Sequence, residues 1–237
     1  MPFLSIVLLY FNIKNRKKFC KLSLLFFLSF LLLIFPWMLR NYMIHDSVVI
    51  TTVMGEHFWR GNVPWSYGGS YTLDGLTVIS AAPKEFLEKL QVTNREIDQH
   101  RLFLEDAFNY IMIDPLHFLK KTIKKFSYFW SFSPTSGLYY PPTYFYFYQG
   151  YYLLLLVFSV VTEIHFIKNK SPVNAFLKQY FLLLVFFFVS VSFIFSFFYL
   201  EMRHRWALEP LLISLASPGL YLFFNKLKRS FSAGNIS

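Results

Sequence analysis

Two short stretches carry charge where charge is costly. "LEMRHRWALEP", Leu200–Pro210, sets Arg203 and Arg205 in a short turn between apolar runs, with Glu201 before them and Glu209 and Pro210 after. "FPWMLRNYMIHDS", Phe35–Ser47, ends another apolar run in Pro36, Trp37, Arg40 and Asn41. Ionisable side chains at membrane depth usually have a partner or a task. A guanidinium is a planar fork of donors that fits phosphate oxygens, so an arginine pair at an outer membrane face suits a lipid-linked phosphate. Plainer arrangements satisfy the same residues. Arg203 or Arg205 can pair with Glu201 or Glu209 and fix helix packing, and Arg40 can snorkel to headgroups or pair with a loop carboxylate.

Other chemistry is absent from the sequence. There is no P-loop, no His-x-x-x-His pair and no nucleophile elbow. His45, His57, His100, His117, His165 and His204 are scattered, so a zinc site would need convergence from distant segments. No catalytic residue and no cofactor is assignable, and a divalent metal is left open. Cys20 is the single cysteine and cannot form an intrachain disulfide. No basic stripe lies on a soluble domain, which excludes nucleic acid as a partner.

The elements that must position these residues read as membrane helices. The 237 residues are 55% hydrophobic, 22% aromatic and only 15% charged. Ordinary soluble domains are about one quarter charged. Crossing the hydrocarbon core takes roughly 20 apolar residues. Four segments meet that length: 22–39, 144–166, 179–200 and 207–224. The expected fold is an all-α polytopic membrane protein with four spans and an external, partly helical loop of about one hundred residues at 40–143. The remaining connectors are a basic cytoplasmic segment ending at residue 21, a cytoplasmic loop at 167–178, a short external loop at 201–206 and a cytoplasmic tail at 225–237. Lys14–Lys21, Lys168–Lys178 and Asn225–Ser237 are basic, and placing them inside obeys the positive-inside rule. The external segment has ten basic and ten acidic residues, so the formal charge of +10 lies on the inner side. It reads as topology and lipid contact on the cytoplasmic side. Phe3–Phe11 is apolar but too short to span, and its charge follows it rather than precedes it, unlike a signal peptide. It reads as the tail of a helix that begins earlier.

Within the external segment, "TTVMGEHFWRGNVPWSYGGSYT" at Thr51–Thr72 predicts a glycine-rich structured loop. Trp59, Trp65 and Tyr67 suit the headgroup region. Thr93 and Glu96 have capping-box spacing, and Ile97, Leu104, Phe108 and Ile111 share one helix face. Asp114-Pro115 predicts the start of a further helix. That helix carries Leu116, Leu119, Ile123 and Phe126 on one side and Lys120, Lys121, Lys124 and Lys125 on the other, the pattern of a helix lying in a membrane interface. Its lysines can hold anionic headgroups, or one can reach an anionic lipid-linked substrate. Ser133–Pro142 predicts a turn. Lacking cysteine, the segment is expected to hold together by packing against the membrane domain.

Four motifs in one order carry a resemblance: "PWMLRN" at 36–41, "GEHFWRGN" at 55–62 followed by "GGS" at 68–70, "DP…KKFSYFW" at 114–130, and "RHRWALEP" at 203–210. Over Leu22 to about Phe224 the chain resembles the C-terminal half of the polyprenyl-phosphate-sugar-dependent membrane glycosyltransferases of the GT-C fold, which include protein O-mannosyltransferase-like and aminoarabinose-transferase-like enzymes. The last loop of that family usually reads Arg-Tyr-Arg-x-Pro-x-x-Pro; here His204 stands for the Tyr and Ala207 for the first Pro. The resemblance implies a lipid-linked sugar donor as partner, with Arg40, Arg203 and Arg205, and more weakly Lys125, as ligands of its phosphate. Pro36, Trp37, Asn41, Gly61, Asn62, Glu209 and Pro210 would be structural parts of the motifs. The family's catalytic Asp lies in an N-terminal half with no counterpart here. The expectation is therefore a fragment, or one half of a split enzyme whose second chain supplies that half. A non-catalytic membrane scaffold or accessory subunit is the alternative.

Overall fold

The structure, a computed structural model, describes residues 15–132, 135, 141–168 and 172–234, with side chains throughout except at 172–180 and 229–234. The apolar piece at Phe3–Phe11 and most of the turn at 133–142 lie outside the described residues. Eight α-helices and no strand are present among them. They are α1 (Arg16–His45), α2 (Met54–Asn62), α3 (Lys84–Val92), α4 (Glu96–Ile113), α5 (Pro115–Trp130), α6 (Pro142–Lys168), α7 (Pro172–Phe197) and α8 (Glu209–Gly234), with a 3-10 turn at Met202–Arg205. The all-helical class agrees with the sequence. Two helices, α1 and α6, are long and apolar enough to cross a membrane by length and composition, and the described apolar part of α7, Phe181–Phe197, is shorter.

Helix α1 starts where Asn15 accepts hydrogen bonds from the backbone N–H groups of Lys17 and Lys18, satisfying two donors the helix cannot. It runs through Pro36 and ends at Asp46, the one non-glycine residue with positive φ, 52°, among those described. Its apolar window is wholly unburied within the chain. Two side chains of the exit motif hold the chain beyond it. Trp37 Nε1 donates to Ile50 O, and Asn41 Nδ2 donates to both Val49 O and Ile50 O.

Two separate apolar cores follow. The first lies among α2, α3 and α4: Trp59 of α2, Val63, Val78, Ala82, Phe86 of α3, and Phe103 and Ala107 of α4. Trp59 stacks on Phe86 and meets Trp65 and Phe103 edge-on, and its indole N–H donates to Asp106 Oδ2 at 2.6 Å. Trp59 is therefore a core residue, not the headgroup anchor expected from composition. Trp65 is half-buried with its N–H on Val78 O, and Tyr67 is exposed. Segment 40–143 thus has a core of its own, where the lack of cysteine had led to the expectation that it holds together by packing against the other helices.

The buried face of α4 is Ile97, His100, Phe103 and Ala107, rotated from the predicted Ile97, Leu104, Phe108, Ile111 stripe, and Phe108 is exposed. The small Ala107 and the hydrogen-bonding His100 set that rotation. His100 Nδ1 lies 3.0 Å from Gly55 N and 2.8 Å from Thr52 O. The expected capping box does not form. Thr93 closes α3 by donating to Lys89 O, and Glu96 instead accepts from Thr52. Asp114 caps α5 by accepting from His117 N, with Pro115 first in the helix.

The second core joins α5 to the apolar helices through Phe129, Tyr152, Phe181, Leu184, Phe187, Phe188, Leu200, Leu208, Leu212 and Leu215. Helices α6 and α8 form the most extensive pairing. They approach so closely that a Cβ at Gly219 would lie 2.2 Å from Phe158 O and 2.7 Å from Thr162 Oγ1. Small residues at a crossing let helix backbones touch, the usual basis of packing where lipid removes the hydrophobic drive. Gly219→Val should therefore lower the thermal unfolding midpoint in detergent by several degrees, while Gly150→Val, where a Cβ meets nothing within 4 Å, should leave it within the scatter of surface substitutions.

Candidate functional site

The C-terminal end of α7 gathers the sequence motifs. A helix leaves its last carbonyls without intrahelical donors. Here Asn62 Nδ2 donates to Phe197 O at 2.8 Å, and Lys125 Nζ donates to Phe198 O at 2.8 Å and to Asn62 Oδ1 at 2.8 Å, with Phe197 O farther at 3.5 Å. Gly61 permits this approach, since a Cβ there would lie 2.1 Å from Phe198 O. Gly68, at φ +93°, accepts from Leu200 N at 2.6 Å and leaves room for the Lys125 stem. One turn earlier on α5, Lys121 Nζ donates to Val63 O at the end of α2. Two lysines four residues apart thus cap two different helices.

These lysines are buried, with Lys125 at 0% exposure. Burial pushes the Lys125 amine down to about 6, with the Lys121 charge adding to it, and pushes Lys121 down to about 8. The two short bonds of Lys125 match the two hydrogens of a neutral amine. The predicted cationic face of α5 is therefore split: Lys121 and Lys125 turn inward, and Lys120 and Lys124 are exposed.

Beyond α7 the chain makes a polar knot. Ser70 Oγ donates to Glu201 Oε1, and the other carboxylate oxygen of Glu201 pairs with Arg203 Nε at 2.7 Å. Glu201 and His204 close a capping box around the 3-10 turn. The His57 ring packs on Tyr199 at 4.5 Å, Tyr199 meets His204 edge-on, and His204 stacks on Phe195. Arg203 Nη2 reaches the Tyr199 hydroxyl at 3.5 Å. Burial holds both imidazoles below their ordinary range, so His57 and His204 are neutral at pH 7. Beside His57, Arg60 is paired with Glu56.

The arginines of the sequence reading go to different places. Arg203 keeps 59% of its side chain exposed while paired with Glu201, one of the internal ion pairs the sequence allowed. Arg205 is 2% exposed. Its guanidinium lies over Tyr152 at 4.3 Å and Phe132 at 4.7 Å, and Nη1 donates to Ser131 O and Phe129 O. Glu209 opens α8, with Pro210 next, and accepts from the Tyr148 hydroxyl. Arg40 is exposed on α1, over the Trp37 ring at 5.2 Å and donating to Asn41. No hydrogen bond or ion pair among the described residues joins Arg40 to the knot.

Sequence reasoning missed His57, Ser70 and Tyr199 as neighbours of Arg203. His57 and Ser70 stood inside quoted motifs, but their approach to residue 201 spans more than a hundred positions and leaves no local periodic signal. A separate cleft of about 240 Å³ between α3 and α4 is lined by Glu85, Lys89, Asp106 and Tyr110 and by none of the arginines above. Three or more metal-ligating side chains come together nowhere among the described residues.

The buried bases set a pH dependence. A lysine whose pKa falls on folding regains a proton on unfolding anywhere between about 6 and its ordinary 10.5, so stability rises with pH through that window and is lost on acidification. His57 and His204 act with the same sign below 6.5. The thermal midpoint in detergent should be higher at about pH 8.5 than at about pH 5.5. Lys125→Met should flatten that slope and lower the midpoint at the higher pH, because Phe198 O loses its donor at about 1–3 kcal/mol. An unchanged slope would mean that Lys125 titrates normally in the folded protein.

Set against known proteins, the chain matches no family model, no curated protein and no solved structure.

Proposed function

We propose that the chain is part of an integral-membrane glycosyltransferase that moves a sugar from a polyprenyl-phosphate donor to an external acceptor. In this reading 22–39, 144–166, 179–200 and 207–224 cross the bacterial cytoplasmic membrane, both flanks of the set face the cytoplasm, and residues 40–143 roof the outer face. The donor enters from the bilayer. Its phosphate exchanges with Glu201 for the Arg203 guanidinium, and the acceptor-activating carboxylate comes from the N-terminal half of the enzyme.

The observation that carries this reading is convergence. Three of the four motifs meet at one end of α7, Gly61 and Asn62 against Phe197 and Phe198, Lys125 on Asn62, and Ser70 on Glu201 beside Arg203. Gly61, Asn62 and Lys125 fix the end of α7, and three residues on from Phe198 Glu201 joins Ser70 to the exposed Arg203. The fourth motif, at 36–41, instead fastens α1 to Val49 and Ile50. Arg203 is the phosphate ligand of choice, since Arg205 and Lys125 are enclosed by protein. A second reading, a non-catalytic membrane scaffold, draws on the Arg203–Glu201 pair, which already neutralises the cation.

Binding of a short-chain polyprenyl phosphate to the full chain in lipid nanodiscs, followed by native mass spectrometry, tests the proposal. Arg203→Ala should weaken binding at least about tenfold, the loss of roughly 1.5–3 kcal/mol expected for a charge-assisted bond, with the thermal midpoint nearly unchanged. In an assembly that performs transfer, the same change should abolish it. Equal binding by the wild-type chain and Arg203→Ala would favour the scaffold.

A further inference from the structure

At about 100° per residue, α5 shows three sectors. Lys121, Thr122, Lys125 and Phe129 are buried against the protein. Lys120 and Lys124 form an exposed cationic sector. Leu116, Leu119 and Ile123 form the third, and they are 58%, 54% and 62% exposed. Across the Asp114-Pro115 corner the end of α4 exposes Phe108, Met112 and Ile113 as well. A cleft of about 170 Å³ opens at this corner, lined mostly by apolar atoms, with Ile111, Ile113 and Phe118 in its walls. A run of bare aliphatic side chains on two consecutive helices marks a surface with an apolar neighbour.

We propose that this α4–α5 elbow is embedded in the outer leaflet and is the membrane-docking surface of the external module. The acyl chains pack on Leu116, Leu119 and Ile123 and on Met112 and Ile113, one chain end enters the corner cleft, and Lys120 and Lys124 snorkel to headgroup phosphates. Lipid is the occupant because of where the elbow sits. Phe118 of α5 meets Phe197 at the end of α7, Phe129 meets Phe195, and Trp130 meets Phe188. Phe188 lies nine residues before Phe197, roughly 13 Å down the helix axis. Helix α5 therefore descends obliquely along the outer end of α7, where Phe193 and Ile194 are exposed too. Phe132, just past α5, packs on Phe145, Tyr148 and Tyr152 at the start of α6. The contact is hydrophobic in kind, unlike the headgroup attraction expected from a four-lysine face, because two of those lysines are committed inside. The inference rests on the reading that α7 crosses the membrane, and not on sugar transfer.

The test uses the full chain with Cys20→Ser and single cysteines at Leu116, Leu119 or Ile123, each labelled with an environment-sensitive fluorophore and reconstituted in phosphatidylcholine vesicles. Glu88→Cys on α3 is the aqueous control and Ile194→Cys reports on α7. Nitroxides carried on the acyl chain should quench the three elbow labels several-fold more than the label at 88. That quenching should persist in about 1 M salt, which screens headgroup attraction but not apolar contact. Elbow labels open to aqueous iodide, as at 88, with quenching at 194, would overturn the inference and leave the topology standing. Absence of acyl-chain quenching at both 194 and the elbow would overturn the inference and the topology beneath it. Shielding that appears only as the protein-to-lipid ratio rises would assign the face to a second copy and would likewise overturn it.

Discussion

The carbonyls of Phe197, the last residue of α7, and of Phe198 just beyond it have no donor in their own helix, and the arrangement around this helix end follows from how they are met. Water would serve in a loop that ended in the open. Here Asn62 and Lys125 take the place of water, and each also bonds the other. A buried amine in this position is costly unless its hydrogens are used, so α2, α5 and α7 are held in one register. Gly61 is where the backbones must come close for that register to exist, and Gly68 leaves room for the Lys125 side chain. The Ser70–Glu201–Arg203 chain then starts from a fixed point.

The two arginines of the last loop divide the work. Arg205 is enclosed by Phe132, Tyr148 and Tyr152 and ties the end of α5 to α6. Glu209, on Tyr148, holds the start of α8 to the same aromatic group. Glu201, held by Ser70, anchors the chain before Arg203 and Arg205 anchors it after, and the chain between them makes a single tight turn. Arg203 projects from that turn because its neighbours on both sides are fixed. Its exposure is a property of the frame around it.

The helical class, the long apolar segments and the Asp-Pro start of α5 were legible because they depend on composition and on neighbours a few residues apart. The two cores were not. Trp59 looks like an interfacial tryptophan until Phe86 of α3 and Phe103 and Asp106 of α4 are brought to it. The same holds for α5. Its lysines read as one cationic face because sequence gives their angular spacing but not which part of the circle another helix will cover. Arg203 with Glu201 was one of four pairings the sequence allowed between Arg203 or Arg205 and Glu201 or Glu209, and only the structure singles it out. His57 beside Tyr199 was not legible, since nothing local links positions so far apart.

The separation of the two cores also orders events during synthesis. Every buried residue of the first core lies between Trp59 and Ala107. That core can close as soon as α4 has emerged, while α6, α7 and α8 are still unmade. The second core needs residues out to Leu215, and the carbonyls that Asn62 and Lys125 hold arrive only with Phe197 and Phe198. For that interval Asn62 stands beside a closed core with no helix end to bind, and α5 with Lys125 meets its main packing partner only when α7 arrives. Docking of α7 is thus the step that joins the two cores.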